Sequence, residues 1–498
     1  MKVTLVNTPI FSTKTPPLAL GILTAVLKKE AINVKLLDLN IKYCKEIMEL
    51  FNKRKISLGK LRRFGKEYVL NSIIMLMVLD KKEEEYGVFK KVYKKIKDDL
   101  EGLFGEMCDE ILATSPDVVG FSVLAFQLSF SLMLAKLIKE RRPNCKVILG
   151  GADMLFSGNK IMETFDFVDF VSKNEGENML PAFVRALKYG NYEKVPGLLF
   201  RKKGRIIENP RKFVKDLNKV PFPNYDDLDL MLYNGGEPIF FIEGSRGCLY
   251  RCAFCSHPFV SPKFRHKSAK RVVDEMEYLQ RRYGANYFFF SDSSINFDKG
   301  FLRELAEELI KRDLKVRWCA TAKPLGIDEE LAKLLRKSNC TSLQFGVETG
   351  SDRVMKDMNK GTTVKIAEKT LRTVHKAGIV VGIYLIVSFP TERLIDLLKT
   401  FLFVLRNRKF IYLTSVAYFQ LVMFSPVYNN PTKYGIKKVE RLCPYQRNVF
   451  DDFFFVKGHE ARNELIPKRA LRKLFELLSN VILTSWTKKK GVDVKSYY

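Results

Sequence analysis

The chain has 498 residues, 46% of them hydrophobic, and 85 Lys and Arg against 56 Asp and Glu, a formal charge of +29. That length predicts about three domains with ample material for packed cores, and the charge bears on solubility and anionic partners rather than on fold. Nine cysteines are an odd number, and six stand alone (Cys44, Cys108, Cys145, Cys319, Cys340, Cys443), which excludes a secreted disulfide framework and fits a reducing cytoplasm.

The apolar run 3–6 predicts a strand rather than a signal peptide. Asn7, Thr8 and Pro9 end it, and Pro16 and Pro17 open a helix through residue 29, where proline's missing N–H costs nothing. Residues 34–37 predict the next strand. Residues 41–112 are charged and helical in pattern and read as an insertion. Strands then recur at 118–123, 147–149 and 167–171, with a helix at 130–140 and another after the turn 174–177. Alternating strands and helices predict a doubly wound parallel sheet over 1–195.

A ligand of such a sheet lies beyond its C-terminal strand ends. Those ends carry Thr8, Ser122, Gly150, Gly151, Glu175 and Gly176. Glycine there lets a backbone approach a ligand, although ordinary tight turns explain the same residues. Residues 196–235 read as a connector, punctuated by Pro196, Gly197, Pro221 and Pro223. From 236 to 425, strands at 240–243, 287–290, 317–321, 342–347, 379–387 and 416–424 alternate with helices, which predicts an open, partial (βα)6 barrel. The residues following each strand then line one mouth. The uncharged stretch 410–432 holds two prolines, Gln420 and two asparagines, so no membrane-spanning helix is expected. Residues 426–498 read as a helical C-terminal region. Within it, Leu471, Leu474, Phe475, Leu478, Val481 and Ile482 recur at helical spacing beside Lys468, Arg469, Arg472 and Lys473. Such a basic amphipathic helix suits a membrane surface, or packs on the barrel with a solvated face.

The most specific feature is Cys248-x-x-x-Cys252-x-x-Cys255, directly after the first barrel strand. Three thiolates hold three irons of a [4Fe–4S] cube and leave the fourth open for chemistry. A structural zinc site from these cysteines and His257 is the alternative. Zinc, however, prefers two short ligand pairs well separated in sequence, and here every candidate falls within ten residues.

The cysteine spacing, with Phe254 just before the third cysteine, resembles that of the radical SAM superfamily. Asp292 lies in a Phe-Ser-Asp run similar to the family's second-strand motif. Glu348 in Gly-Val-Glu-Thr resembles its Gly-Ile-Glu-Ser motif, and Phe389-Pro390-x-Glu392 partly matches Gly-Leu-Pro-Gly-Glu-Thr, with Ser388 and Thr391 in place of glycines. Residues 1–190 resemble the cobalamin-binding domain that precedes many such enzymes, in the runs 16–21, 116–122, 147–151 and 175–177.

The resemblance implies a [4Fe–4S] cluster on Cys248, Cys252 and Cys255, with S-adenosylmethionine near Phe254, Asp292 and Glu348. It implies cobalamin near Thr8, Pro17, Gly21, Ser122, Gly150, Gly151, Glu175 and Gly176. All four histidines lie after residue 250, so the Asp-x-His-x-x-Gly cobalt-ligand signature is absent and no N-terminal histidine would ligate the metal. The implied activity is reductive cleavage of S-adenosylmethionine, most simply for cobalamin-dependent methyl transfer to an unactivated carbon. Cyclisation, C–C bond formation or rearrangement of a lipid, isoprenoid or tetrapyrrole is the alternative. The expected partners are a low-potential electron donor such as ferredoxin or flavodoxin and a small-molecule or lipid substrate. Peripheral contact with the inner membrane face would run through the basic tail, and no nucleic-acid module is recognisable.

Overall fold

A computed structural model describes residues 1–56, 58, 65–436, 438–441 and 456–459, and they form two compact units, Met1–Phe240 and the chain from Phe241 onward. The tail helix expected over 467–498 lies outside the described residues. Among the described residues no helix is long and apolar enough to cross a membrane.

The first unit is built on seven strands: β1 (Lys2–Asn7), β2 (Asn33–Asp38), β3 (Val118–Ser122), β4 (Lys146–Gly150), β5 (Phe170–Ser172), β6 (Leu198–Lys202) and β7 (Arg205–Glu208). Their order is β2-β1-β3-β4-β5-β6-β7, parallel through β5 and antiparallel beyond it. Val3, Leu5, Val118 and Ile148 pack against the helices Leu18–Lys29 and Gly176–Tyr189 on one face. Val6, Val119, Phe121 and Leu149 pack on the other. A strand buried on both faces reads as a continuous apolar run, as these do. The charged stretch expected as an insertion supplies the helices Leu39–Lys53, Lys66–Val78 and Lys90–Ala113, whose Ile47, Ile73, Phe104 and Met107 join the second core.

The connector expected over 196–235 is corrected in its first part. Residues 198–208 form the hairpin β6–β7 and extend the sheet. Lys203 and Gly204 both have positive φ, +50° and +76°. That is the backbone of the two-residue turns that match strand twist.

The second unit holds β8 (Ile239–Ile242), the short antiparallel pair β9 (Ser245–Arg246) and β10 (Arg265–His266), then β11 (Tyr287–Phe290), β12 (Arg317–Ala322), β13 (Cys340–Glu348), β14 (Val380–Val387) and β15 (Tyr412–Tyr418). The six-stranded sheet runs β15-β14-β13-β12-β11-β8, and β11 to β15 pair in parallel. Four crossover helices start at capping side chains: Ser268, Asp298, Asp328 and Thr363 each accept the amide three residues on. A cap of this kind stabilises a helix by about 1 kcal/mol and fixes where the preceding loop ends. The last strand lies earlier than the expected 416–424. Tyr412 pairs with Gly382, and a Cβ on Gly382 would clash with Thr414 Oγ1 and fall 2.7 Å from the Tyr412 ring, so side chains of β15 fill the space the glycine leaves.

Candidate functional site

The cysteine loop follows β8 and β9. Gly247, with φ +90°, turns the chain into Cys248, and a Cβ there would meet the Lys263 carbonyl oxygen at 2.8 Å. Backbone bonds then pin the loop. The Ala253 amide donates to the Met358 carbonyl at 2.8 Å, the Val427 amide to the Ala253 carbonyl at 3.0 Å, and Asn359 Nδ2 to the Arg251 carbonyl at 2.8 Å. The three thiols are half-buried, and the His257 amide donates to Cys255 Sγ at 3.4 Å. Burial pushes the Cys252 and Cys255 thiols up in pKa, and Lys360 pulls both back toward the thiolate.

His257 Nε2 is hydrogen-bonded to Ser293 Oγ at 2.8 Å, and its buried Nδ1 has no partner among the described residues. Among the described residues no three His, Cys, Asp or Glu side chains gather so as to hold one metal ion.

Asp292 stands just past β11 and is 3% exposed. Its Oδ2 accepts the Gly244 amide at 2.9 Å and its Oδ1 the Ser245 hydroxyl at 2.5 Å. Burial pushes its pKa up to about 6. Both oxygens are therefore engaged on the turn that leads into Cys248, and in this structure Asp292 serves the approach to the cysteine loop.

Glu348 ends β13 with φ +69°, at a register shift in the pairing with β14. A non-glycine residue in that region is strained, and such strain clusters at functional sites. Its Oε1 accepts from Lys360 Nζ at 2.8 Å, and both side chains are buried. Phe254 is half-buried, packed against the core cluster that includes Met358 and Phe389, with Lys360 Nζ 5.7 Å from its ring centre. Cys252, Cys255, Phe254 and Glu348 thus meet around Lys360, which no sequence motif marked.

The Ser388–Glu392 turn departs from its family motif in a visible way. Ser388 has φ +62°, a conformation that suits the glycine it replaces. Its amide donates to Glu392 Oε2 at 2.6 Å. The buried Glu392 Oε1 has no partner among the described residues, and burial pushes the carboxyl pKa up to about 7.

In the first unit, the C-terminal strand ends carry a buried polar network that the sequence did not reveal. Asn7 Nδ2 donates to Asp38 Oδ1 at 3.0 Å, and the Tyr233 hydroxyl donates to Asp38 Oδ2 at 2.6 Å. Gln127 Nε2 donates to Asn7 Oδ1 at 2.8 Å, and the Thr8 and Ser131 hydroxyls meet at 3.0 Å. Thr8, expected to face a ligand, is fully buried in this network.

Several expected contact residues have internal reasons for their identity. A Cβ on Gly21 would fall 2.5 Å from the Tyr225 ring, on Gly176 2.6 Å from Leu23, and on Gly151 2.3 Å from the Val123 carbonyl oxygen. Glu175 Oε2 accepts the Val214 amide at 2.7 Å, and Pro17 precedes the first helix as its N-cap residue. Ser122 and Gly150 are paired in register at the ends of β3 and β4, and a Cβ on Gly150 would meet only ordinary contacts. Both are part-exposed at the strand ends.

Residues 242–404 match the radical SAM superfamily, and residues 105–184 match the B12 binding domain. The chain thus carries a radical SAM domain and a B12-binding domain. The chain is 28% identical over 313 residues to the uncharacterized methyltransferase PH0819 of Pyrococcus horikoshii, covering 62% of this chain and 67% of that protein. It is 25% identical over 304 residues to the anaerobic magnesium-protoporphyrin IX monomethyl ester cyclase of Rubrivivax gelatinosus, covering 59% and 55%. The chain thus spans from about half to two thirds of the curated relatives it matches. Among solved structures, the cobalamin-dependent S-adenosylmethionine radical enzyme OxsB superposes with a TM-score of 0.70 at 16% identity, over 97% of this chain and 71% of that one. That likeness is one of fold.

The cofactors of such a radical SAM enzyme are a [4Fe–4S] cluster, S-adenosylmethionine and cobalamin. The thiol loop fits the cluster in its donor chemistry: three half-buried sulfurs beside two buried ammonium groups, Lys323 and Lys360. The first unit contains no histidine at all, so a cobalamin held there would take no imidazole from it.

Proposed function

We propose that this enzyme is a cobalamin-dependent radical SAM methyltransferase acting on an unactivated carbon, with Cys248, Cys252 and Cys255 holding the cluster. The observation that carries the reading is the three-cysteine loop, pinned to 358–359 and 427 at the end of β8, in a chain that also carries a B12-binding domain. When bound, the cluster and cobalamin supply single-electron cleavage of S-adenosylmethionine and methyl transfer, chemistry that belongs to the cofactors.

The chain's own residues orient and shield. Asp292 ties the β8–β9 turn, and so sets where Cys248 enters. Glu348 and Lys360 form a buried pair that packs under Phe254. Ser122 and Gly150 offer a hydroxyl and close backbone approach for cobalamin at the strand ends. A low-potential donor of the ferredoxin or flavodoxin type would supply the electron.

The protein, purified anaerobically with hydroxocobalamin, is expected to carry about four irons per chain, the complement of one cube, and bound cobalamin. With reductant it is expected to convert S-adenosylmethionine to both S-adenosylhomocysteine and 5′-deoxyadenosine. Absence of iron or of cleavage defeats the reading. Deoxyadenosine without S-adenosylhomocysteine selects the second reading, a cyclase or C–C bond-forming enzyme, which the similarity to the Rubrivivax gelatinosus cyclase supports. Flotation with anionic liposomes, comparing the full chain with one lacking 467–498, tests membrane contact; equal partitioning removes that idea.

A further inference from the structure

Tyr250 lies inside the cysteine loop, between Cys248 and Cys252. Lys323 Nζ sits 3.2 Å from the centre of its ring. Lys323 follows β12 directly and is 4% exposed. Its backbone is held on both sides by one buried side chain. The Lys323 amide donates to Asn296 Oδ1 at 2.9 Å, and Asn296 Nδ2 donates to the Lys323 carbonyl at 2.9 Å and to that of Leu325 at 2.7 Å. The Ser294 hydroxyl donates to Asn296 Oδ1 at 2.8 Å and orients the amide. The lysine is therefore delivered to the ring by a fixed support.

The two buried ammonium groups beside the loop differ in one respect. Lys360 is neutralised by Glu348 at 2.8 Å. Among the described residues, no carboxylate lies within ion-pair distance of Lys323. A buried charge without a counter-charge is costly, and an anion placed beside it relieves that cost. Burial lowers the Lys323 pKa to about 8, and the neighbouring sulfurs of Cys252 and Cys248 act against that shift. The ring face of Tyr250 adds a weaker attraction and sets the direction of approach.

We propose that Lys323 is a positioning residue for the iron–sulfur cluster, its uncompensated charge held against Tyr250 so as to offset the three-thiolate charge and raise the cluster's reduction potential. Cluster potentials follow net charge and the polar groups around the sulfurs. A fixed cation favours the reduced cluster, which carries one more negative charge. The inference rests on the reading of Cys248, Cys252 and Cys255 as cluster ligands.

The test is a redox titration of the anaerobically reconstituted full chain, followed by electron paramagnetic resonance, for the wild type, Lys323→Met and Lys323→Arg, with iron counted in each. The expected result is full iron in all three, a shift to more negative potential in Lys323→Met, and the wild-type potential in Lys323→Arg. A fully loaded Lys323→Met at the wild-type potential overturns the proposal. Should Lys323→Met fail to load iron, the proposal stands only if Lys323→Arg loads and titrates as the wild type; loss of iron in both overturns it. A wild-type chain that binds no four-iron cluster is a separate failure, that of the cysteine loop's assignment.

Discussion

Gly346 lies so close beneath the Glu348 carboxylate that a Cβ would fall 2.5 Å from Oε1 and 3.0 Å from Lys360 Nζ. The glycine of the Gly-Val-Glu-Thr run is thus the floor of the Glu348–Lys360 pair. Gly346→Ala is expected to push the carboxylate off the lysine and cost roughly 1–3 kcal/mol through overpacking. Urea unfolding reads the stability, and S-adenosylmethionine binding by equilibrium dialysis should weaken alongside it. An alanine variant with unchanged midpoint and binding would show that the pair tolerates displacement.

Glu392 gives a pH dependence with a definite sign. Its folded pKa, about 7, lies above the ordinary glutamate value of 4.5 expected of the unfolded chain because burial disfavours the carboxylate. A raised acid binds its proton more tightly in the folded state, so its contribution is present at low pH and is lost as pH rises through 4.5 to 7. The loss is on the order of 3 kcal/mol. Glu392→Gln is expected to flatten the stability slope between pH 5 and 7, measured as the urea midpoint at each pH.

Ser388 holds a left-handed conformation at φ +62°. An L side chain there costs about 1–2 kcal/mol relative to glycine's freedom, part of which glycine returns through unfolded-state entropy. Ser388→Gly is expected to stabilise the protein by roughly 0.5–1 kcal/mol, read as a raised denaturation midpoint. The Ser388 amide bond to Glu392 is a backbone bond and should survive the change.

Lys267 and Glu275 form an ion pair at 2.7 Å with both side chains 1% exposed. Removing one member leaves the other charged and dry. Lys267→Met is expected to cost about 3–5 kcal/mol, whereas replacing both members with apolar residues should cost much less. A double-mutant cycle on thermal unfolding checks the difference.

The Tyr233 hydroxyl is one of the donors to buried Asp38. Tyr233→Phe is expected to destabilise the first unit by about 1–3 kcal/mol, since a buried carboxylate loses a partner that water cannot replace. Hydrogen exchange at β1 and β2 would locate the effect.

What the sequence disclosed follows from the range of each interaction. Cys248, Cys252 and Cys255 were legible because their spacing lies within one loop. The alternation of strands and helices was legible because periodicity is local. Lys323 and Asn296 were not, because their meeting with Tyr250 depends on bringing together segments roughly 45 to 75 residues apart in the chain. The glycines at 21, 151 and 176 were visible as places needing no side chain. Their partners, Tyr225, Val123 and Leu23, were not, so a ligand was a natural but incomplete explanation. The β6–β7 hairpin was missed because Lys203 adopts a positive φ more usual for Asn or Gly, which hid the turn signal.

The helical insertion also has a consequence for how the chain is made. β1 is a central strand, flanked by β2 and β3, yet β3 begins 111 residues after β1 ends. At ribosomal rates of about 5–20 residues per second, the nascent β1–β2 pair waits many seconds with one side unzipped. The helices translated in that interval bury Ile73, Ile74 and Phe104 in the core that also covers Val6 of β1, so the segment that delays the sheet also supplies the cover under which β3 is received.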